Sequence, residues 1–426
     1  MTKSRVLVAQ IGARRHYAVA RALHAGGLLE QLVTDACADI APWKWLDSFF
    51  PSGNRPPSVS RLMGRHVPGV PPDKIVGYPW FALSAAWKRR RGRPQTDYWA
   101  RRNSNFCRKV VQDGFGDANC VYAYNGAALE IFEAARKAGV KTVLDQTAAP
   151  WRWNSYLLQQ ERERWPDWEV VPAEVDVSGV LTAREEAEWE LADAIVCGSD
   201  FVVSAMDENG GPTKHCHVVP YPSIDDTCAA GCKGAIGDVR QGQETSGRRH
   251  AGEPLRVLFV GTLQLRKGVQ YLLAAKRLLR DLPVTMRLVG PSMLSETAMR
   301  ELAAEMEVVG AVPRAEVAKH YAWADVFVLP TLSDGSANVC NEALAAGLPV
   351  ITTPNAGSVI IDGLDGILVP AKDPEALSNA INSVRSILSV RGNGREIHRN
   401  LPSAVKSEEL DRYANALREI LSTTTA

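Results

Sequence analysis

Leu255-Arg-Val-Leu-Phe-Val-Gly-Thr-Leu-Gln-Leu-Arg-Lys-Gly-Val-Gln-Tyr-Leu-Leu-Ala-Ala-Lys-Arg-Leu-Leu279 is the stretch on which the fold turns. Leu255–Val260 is an apolar, β-branched run that stops at Gly261, and Val269–Leu279 carries apolar residues at helical spacing. Between them lies a short loop bounded by two glycines, so the order is strand, tight loop, helix.

That order repeats downstream. Val284–Val289 reads as a strand closed by Gly290-Pro291, and Glu296–Glu305 as a helix. Glu307–Val309, Val326–Leu329, Val350–Thr352 and Ile367–Val369 read as strands, with helices expected over Arg314–Trp323, Asn338–Ala346 and Pro374–Leu388. Strand–helix alternation of this kind implies a parallel sheet with helices on both faces, a Rossmann-like domain.

The first half repeats the theme less cleanly. Strands are expected at Arg5–Gln10, Cys120–Ala123, Lys141–Leu144, Ala194–Cys197 and His217–Val219, with helices at His16–Ala25 and Ala128–Lys137. The expected division is 1–224 for a first Rossmann-like domain, 225–254 for a connector, 255–405 for a second, and 406–426 for a C-terminal helix returning to the first. Gly, Gln, Ser and Arg dominate Asp225–Pro254, which suits a flexible connector or a surface loop. Ligands of open α/β sheets sit beyond the strands' carboxyl ends, so two such halves imply a cleft lined by those ends.

At 426 residues the chain has room for two or three cores, and 46% hydrophobic with 23% charged residues is ordinary globular composition. A formal net charge of +1 gives no global pull toward nucleic acid, and none is expected as a partner. No stretch approaches the roughly 18 apolar residues of a spanning helix. Eight cysteines without framework spacing, several inside apolar runs, fit buried thiols in a reducing cytoplasm. His215-Cys216-His217 with Cys228 and Cys232 lacks a regular zinc spacing, and a strand would send Cys216 to the face opposite the two histidines. No metal site is expected.

Two loops carry the candidate chemistry. In Gly261–Gly268, Arg266 and Lys267 stand at a strand's carboxyl end, where they would neutralise a diphosphate. Cations at a helix start oppose its dipole and so need a reason to be there. In Ser333-Asp-Gly-Ser-Ala-Asn-Val-Cys-Asn-Glu342, the small residues Gly335, Ser336, Ala337 and Asn338 would leave backbone N–H groups bare at a helix start, an anion site. Asp334 in the loop and Glu342 a turn inside the helix would grip separate hydroxyl-bearing parts of one ligand. A capping acid and a solvated glutamate account for the same two residues.

Val260–Pro370 resembles the donor-binding domain of family 4 retaining glycosyltransferases, which have the α/β GT-B fold of two facing Rossmann-like domains. Members carry a G-R-L-x-x-x-K-G loop, matched here at Gly261, Leu263, Lys267 and Gly268, and an E-x7-E motif, matched at Asp334 and Glu342. The run from Glu342 through Ile351, Asn355-Ala-Gly357 and Asp365–Pro370 also reads as family sequence, as do Leu191–Phe201 and Val218–Pro222 upstream. Two positions depart: the loop arginine is Thr262, with Arg266 a turn later, and the first glutamate is Asp334. The resemblance implies a nucleotide-diphosphate-sugar donor and no required cofactor. It implies Arg266 and Lys267 on the diphosphate, Glu342 on the ribose, Asp334 facing the transferred sugar and the backbone near Val312 at the base.

In the first half, Gln10-Ile-Gly12-Ala-Arg14-Arg15-His16 is a strand–turn–helix in which Gly12 would meet donor phosphates. His16, Asp145 and Gln146 are acceptor-side candidates, and ordinary structural residues would read the same. Trp43, Trp45, Phe49 and Phe50 cluster, as do Trp80, Phe81 and Trp87 before Lys88-Arg-Arg-Arg91-Gly-Arg93. Tryptophans beside a basic run suit an anionic membrane surface through 80–93 at the inner face of the membrane, with a carbohydrate or lipid-linked acceptor. Core aromatics followed by a solvated loop fit the same residues. A sugar-nucleotide epimerase of the same fold and a non-catalytic nucleotide-sugar binder remain the other readings. The epimerase needs a paired acid and base in the first half, which the sequence does not identify.

Overall fold

A computed structural model describes residues 4–45, 59, 62–81, 98–169, 177–221, 253–358, 360–391 and 405–424. The chain divides into two compact units. The first comprises Met1–Arg152, Ala173–Ile224 and Ala404–Ala426, and the second Trp153–Pro172 and Asp225–Ser403. The last residues group with the first unit as expected of 406–426, whereas Trp153–Pro172, expected within 1–224, groups with the second. The connector expected over 225–254 lies outside the described residues except for Glu253 and Pro254.

The first unit holds the strands β1 (Val6–Gln10), β2 (Leu29–Thr34), β3 (Ile75–Gly77), β4 (Cys120–Tyr124), β5 (Lys141–Gln146), β6 (Ala194–Cys197) and β7 (Cys216–Val218) in the order β3-β2-β1-β4-β5-β6-β7. All neighbours pair in parallel. Side chains of β1 alternate between two cores, as a strand's period of two demands. Val6 and Val8 face α1 (Ala18–Ala25) and the C-terminal helix Val405–Thr424, through Tyr413, Leu417 and Ile420. Leu7 and Ala9 face α2 (Tyr98–Asp113) and α3 (Leu129–Lys137), through Phe106, Val110, Ile131 and Phe132. Neither β2, β3 nor α2 was expected from sequence, where Glu30 and Gln31 interrupt the apolar run of β2.

Further along, α4 (Trp151–Arg164), α5 (Val177–Leu191) and α6 (Asp200–Asp207) precede the second sheet. That sheet contains β8 (Leu255–Val260), β9 (Val284–Val289), β10 (Glu307–Gly310), β11 (Val326–Leu329), β12 (Val350–Thr352) and β13 (Gly366–Leu368), ordered β10-β9-β8-β11-β12-β13 and parallel throughout. Its helices are α7 (Val269–Leu278), α8 (Glu296–Glu305), α9 (Arg314–Trp323), α10 (Asn338–Ala345) and α11 (Pro374–Arg391), and α12 is Val405–Thr424 in the first unit. Leu255 and Val257–Val260 are buried, which is why β8 reads as an apolar run broken only by Arg256 rather than as an alternation. Gly268 ends the loop after β8 at φ 75°, and a Cβ there would lie 1.8 Å from the Pro330 carbonyl oxygen. Only glycine lets the two loops approach that closely.

In each sheet the strand order reverses once, between β1 and β4 and between β8 and β11. Loops leaving the carboxyl ends at such a reversal diverge and leave a crevice for ligands.

Candidate active site

The crevice of the second sheet is flanked by the loop after β8, residues 261–268, and the loop after β11, residues 330–337. Lys267 pairs through Nζ with the Asp334 carboxylate, the two side chains being 14% and 19% exposed. Arg266 Nη1 donates to the Ser333 carbonyl oxygen at 2.6 Å, while the Arg266 carbonyl accepts from Leu332 N at 2.9 Å and Thr331 Oγ1 at 3.2 Å. Two cations therefore stand within one reversal point, laced to the opposite loop by backbone and side chain.

The loop itself is braced from below. Asp334 N donates to the Asn355 carbonyl and Ala337 N to that of Ala356, both at 2.9 Å, and Asn355 Nδ2 donates to the Leu332 carbonyl at 2.8 Å. The helix start is thus not wholly bare as expected, since the Ala337 amide is used within the fold. Gly335 and Ser336 lie in the same turn and Asn338 opens α10. One turn on, Glu342 Oε2 accepts from the Tyr321 hydroxyl at 3.1 Å and Oε1 lies 3.5 Å from Arg314 Nη2. Glu342 is therefore held on α9 rather than solvated. Gly261 and Thr262 are half-buried at the mouth of β8, and half-buried Val312 packs against the unit's core just before α9. Burial pushes the Cys340 thiol of α10 up to about 12, so it remains protonated and inert.

Sequence reasoning missed the contribution of Trp153–Pro172. Asn154 Oδ1 accepts from Ser333 Oγ at 2.7 Å, and Glu169 Oε1 accepts from Leu265 N at 2.8 Å. Glu161, fully buried, accepts from Gln270 Nε2 at 3.0 Å and Tyr271 OH at 2.9 Å, with Lys372 Nζ 2.9 Å away. The available signal was a helix whose charged residues, Glu161-Arg-Glu-Arg164, leave no obvious apolar face to bury.

The first unit's candidates fall differently. Gly12, at φ 77°, closes β1 and donates its N–H to Asp35 Oδ1 at 2.8 Å. Arg15, His16 and Tyr17 follow with φ of 47°, 48° and 59°, so the helix begins at Ala18 rather than at His16. Left-handed values cost roughly 1–2 kcal/mol per L-residue, and three in a row mark a segment held by its surroundings. Asp145 is fully buried beneath Tyr122, whose hydroxyl donates at 2.7 Å, and Tyr221. Burial raises its carboxyl above the usual range. Gln146 is equally buried, donating to Glu185 at 2.8 Å and accepting from Trp189 at 3.0 Å. Both were expected to meet an acceptor; the sheet instead seals them, because β5 runs two residues longer than its apolar pattern suggested.

Trp43 is buried, while Trp45 and Trp80 are 56% and 81% exposed and Phe81 packs on Phe106 at 6.0 Å. Phe49, Phe50, Trp87 and Lys88–Arg93 lie outside the described residues, as do Cys228 and Cys232. Among the described residues no helix is long and apolar enough to cross a membrane.

The second unit is similar to known proteins. Residues 254–386 match the family model "Glycosyl transferases group 1". The match spans the second sheet from β8 to β13 and most of α11. The group 1 segment contains both loops of the crevice. A D-inositol 3-phosphate glycosyltransferase from Corynebacterium urealyticum is 30% identical over 224 residues, 47% of this chain and 50% of that protein. The putative teichuronic acid biosynthesis glycosyltransferase TuaC of Bacillus subtilis is 34% identical over 139 residues, 32% of this chain and 34% of that one. The chain spans about half the length, or less, of these curated relatives. Among solved structures, Anabaena HepE in complex with UDP and glucose has a TM-score of 0.57 at 14% identity, covering 99% of this chain and 100% of that one. Sucrose-phosphate synthase from Thermosynechococcus elongatus has a TM-score of 0.57 at 17% identity, covering 99% and 100%. These likenesses establish the GT-B fold.

Proposed function

We infer that the protein is a glycosyltransferase that takes a sugar from a nucleotide-diphosphate donor and delivers it, with retained configuration, to an acceptor hydroxyl. The observation that carries this reading is the pairing of Lys267 with Asp334 at the reversal point of the second sheet, beside Arg266. Breaking a glycosyl–phosphate bond builds positive charge at the anomeric carbon and negative charge on the departing diphosphate. Lys267 and Arg266 stand ready to take that negative charge without reorganising, which is where electrostatic catalysis gains most. In this reading no metal is required.

The anomeric C–O bond breaks with its electron pair going to the diphosphate. The acceptor oxygen bonds to the anomeric carbon on the same face, and its proton passes to a diphosphate oxygen. Asp334, released from Lys267 as phosphate replaces it, turns to the sugar, and Glu342, fixed by Tyr321 and Arg314, holds the ribose. Gly335, Ser336 and Asn338 line the phosphate side of α10. UDP and glucose in the HepE complex motivate a uridine donor as the first to test. The acceptor is a carbohydrate, free or lipid-linked, and exposed Trp80 favours work at a cytoplasmic membrane surface.

The test is donor cleavage and transfer by Lys267→Ala against the unaltered protein. The reading expects kcat to fall by more than about 2 kcal/mol of barrier, roughly thirtyfold, with donor binding weakened less. Near-normal turnover in that variant sinks it. Nucleotide binding without any donor cleavage in the unaltered protein would leave a non-catalytic binder.

A further inference from the structure

The two loops that carry Arg266, Lys267 and Asp334 are held in part by a segment about a hundred residues or more before them in the chain. Within it, α4 places Asn154, Leu157, Leu158 and Glu161 on one face, at the three- and four-residue spacing of a helix, and Trp165 and Trp168 follow. Leu157 packs with Leu332 and Tyr271, and Trp168 belongs to the core that contains β8. These apolar contacts seat the segment on the second unit. A polar group on such a face costs free energy unless its hydrogen bonds are made, so the destination of those bonds carries information.

They reach both loops. Leu265 opens the turn Leu265–Lys267, and both of its backbone groups are met from this side. Its N–H donates to Glu169 Oε1 at 2.8 Å, while Arg162 Nη2 lies 3.3 Å from Glu169 Oε2. Its carbonyl accepts from Gln270 Nε2 at 3.0 Å, and the same amide donates to Glu161 Oε2 at 3.0 Å. On the other loop, the fully buried Ser333 donates its hydroxyl to Asn154 Oδ1 at 2.7 Å, and its carbonyl accepts from Arg266 Nη1 at 2.6 Å. Two short bonds through one residue thus join Asn154 to the Arg266 guanidinium, and one bond joins Glu169 to the backbone two residues before Lys267. Were the segment only filler, apolar residues at 154 and 169 would serve, since Leu157 and Trp168 already seat it.

We propose that Asn154 and Glu169 are positioning residues for the diphosphate, Asn154 acting through Ser333 on Arg266 and Glu169 acting through Leu265 on the turn that carries Lys267. This rests on the glycosyltransferase reading, in which those two cations receive the departing diphosphate. Cations stabilise developing charge most when their geometry is set before the reaction. A misplacement of about 1 Å at such a group, caused from a distance, costs up to about a hundredfold in rate.

Calorimetry on the full chain compares the nucleoside diphosphate that binds tightest among UDP, GDP and ADP with its own monophosphate, alongside kcat, donor KM and melting temperature. In the unaltered protein the diphosphate should bind at least about tenfold tighter, a margin that reports contact with Arg266 and Lys267. Asn154→Ala and Glu169→Ala should each shrink that margin at least about threefold and lower kcat about tenfold, with donor KM rising less than kcat falls. Glu169→Gln, which keeps an oxygen for Leu265 N, restores most of both. Ser333→Ala should match Asn154→Ala, and combining the two should add nothing, because they remove the same bond. Glu163→Ala, on the exposed side of α4, changes neither margin nor kcat. An unmoved margin and kcat in Asn154→Ala and Glu169→Ala overturn the proposal. So does a fall in melting temperature alone, the mark of a segment that only supports the fold. A margin missing from the unaltered protein strikes the diphosphate reading of Arg266 and Lys267 and takes the proposal with it, whereas a margin present but unmoved strikes the proposal alone.

Discussion

Lys267, on the loop after β8, forms an ion pair with Asp334, on the loop after β11, so the carboxylate occupies the cation that a diphosphate would use. On the function proposed above, Asp334 competes with the donor's phosphate for Lys267. Replacing it by asparagine is expected to tighten binding of a nucleoside diphosphate by about threefold to tenfold, the scale of one partly exposed charge interaction. Transfer should fall more than tenfold over the same change. Calorimetry and turnover measured on the same preparation check both signs.

Gly268 is fixed by space as well as by φ. Gly268→Ala drives a methyl to 1.8 Å from the Pro330 carbonyl oxygen, whereas Gly310→Ala, at φ 82°, meets nothing within 4 Å. Both variants carry the left-handed strain of roughly 1 kcal/mol, and only the first adds a backbone clash. Denaturant midpoints should show Gly268→Ala losing more than about 2 kcal/mol beyond Gly310→Ala.

Lys372 stands 2.9 Å from Glu161, a carboxylate with no solvent exposure. Lys372→Met strands that charge, and breaking a buried pair from one side costs about 3–5 kcal/mol. Adding Glu161→Gln should recover most of the loss. A double-mutant cycle by chemical denaturation reads the coupling.

Glu130 on α3 supplies a pH dependence with a definite sign. Burial would raise its carboxyl, but hydrogen bonds and the charge of Arg184 outweigh that and hold it at about 2, below the usual 4.5. A depressed folded value stabilises the protein above the unfolded value and is lost as pH falls from about 4.5 toward 2. Glu130→Gln should therefore cost roughly 2 kcal/mol at pH 7, with the difference from the unaltered protein closing across that acid window. Urea unfolding at a series of pH values measures it.

The second sheet was legible because its central strands, β8, β11 and β12, are almost wholly buried. Leu255–Val260, Val284–Val289 and Val326–Leu329 are mostly apolar runs ended by Gly or Pro, broken only by Arg256, Thr285 and Arg287, and each strand has the bounds its sequence suggested. In the first unit the signal fails where polar residues sit inside strands. Glu30 and Gln31 lie in β2, and Asp145 and Gln146 end β5 as buried groups whose partners come from residues 122, 185, 189 and 221. A carboxylate sealed by two distant tyrosines looks, in sequence, like one offered to a substrate. Lys267 was readable because a motif names it, and Arg266 because it stands beside Lys267 in the same loop. Arg65 and Arg102 were not, since only folding brings them to Asp35, 30 and 67 positions away.

The helix α12 places Tyr413, Leu417 and Ile420 in the same core as Val6, Val8 and Leu23. A ribosome therefore delivers the opening strands long before the residues that cover them. During synthesis that face of the nascent sheet stays uncovered while the whole second unit is made, inviting chaperone capture or clumping. Producing 1–224 alone should yield aggregates, and supplying residues 404–426 in trans, as a separate peptide, should draw some of that material back into solution.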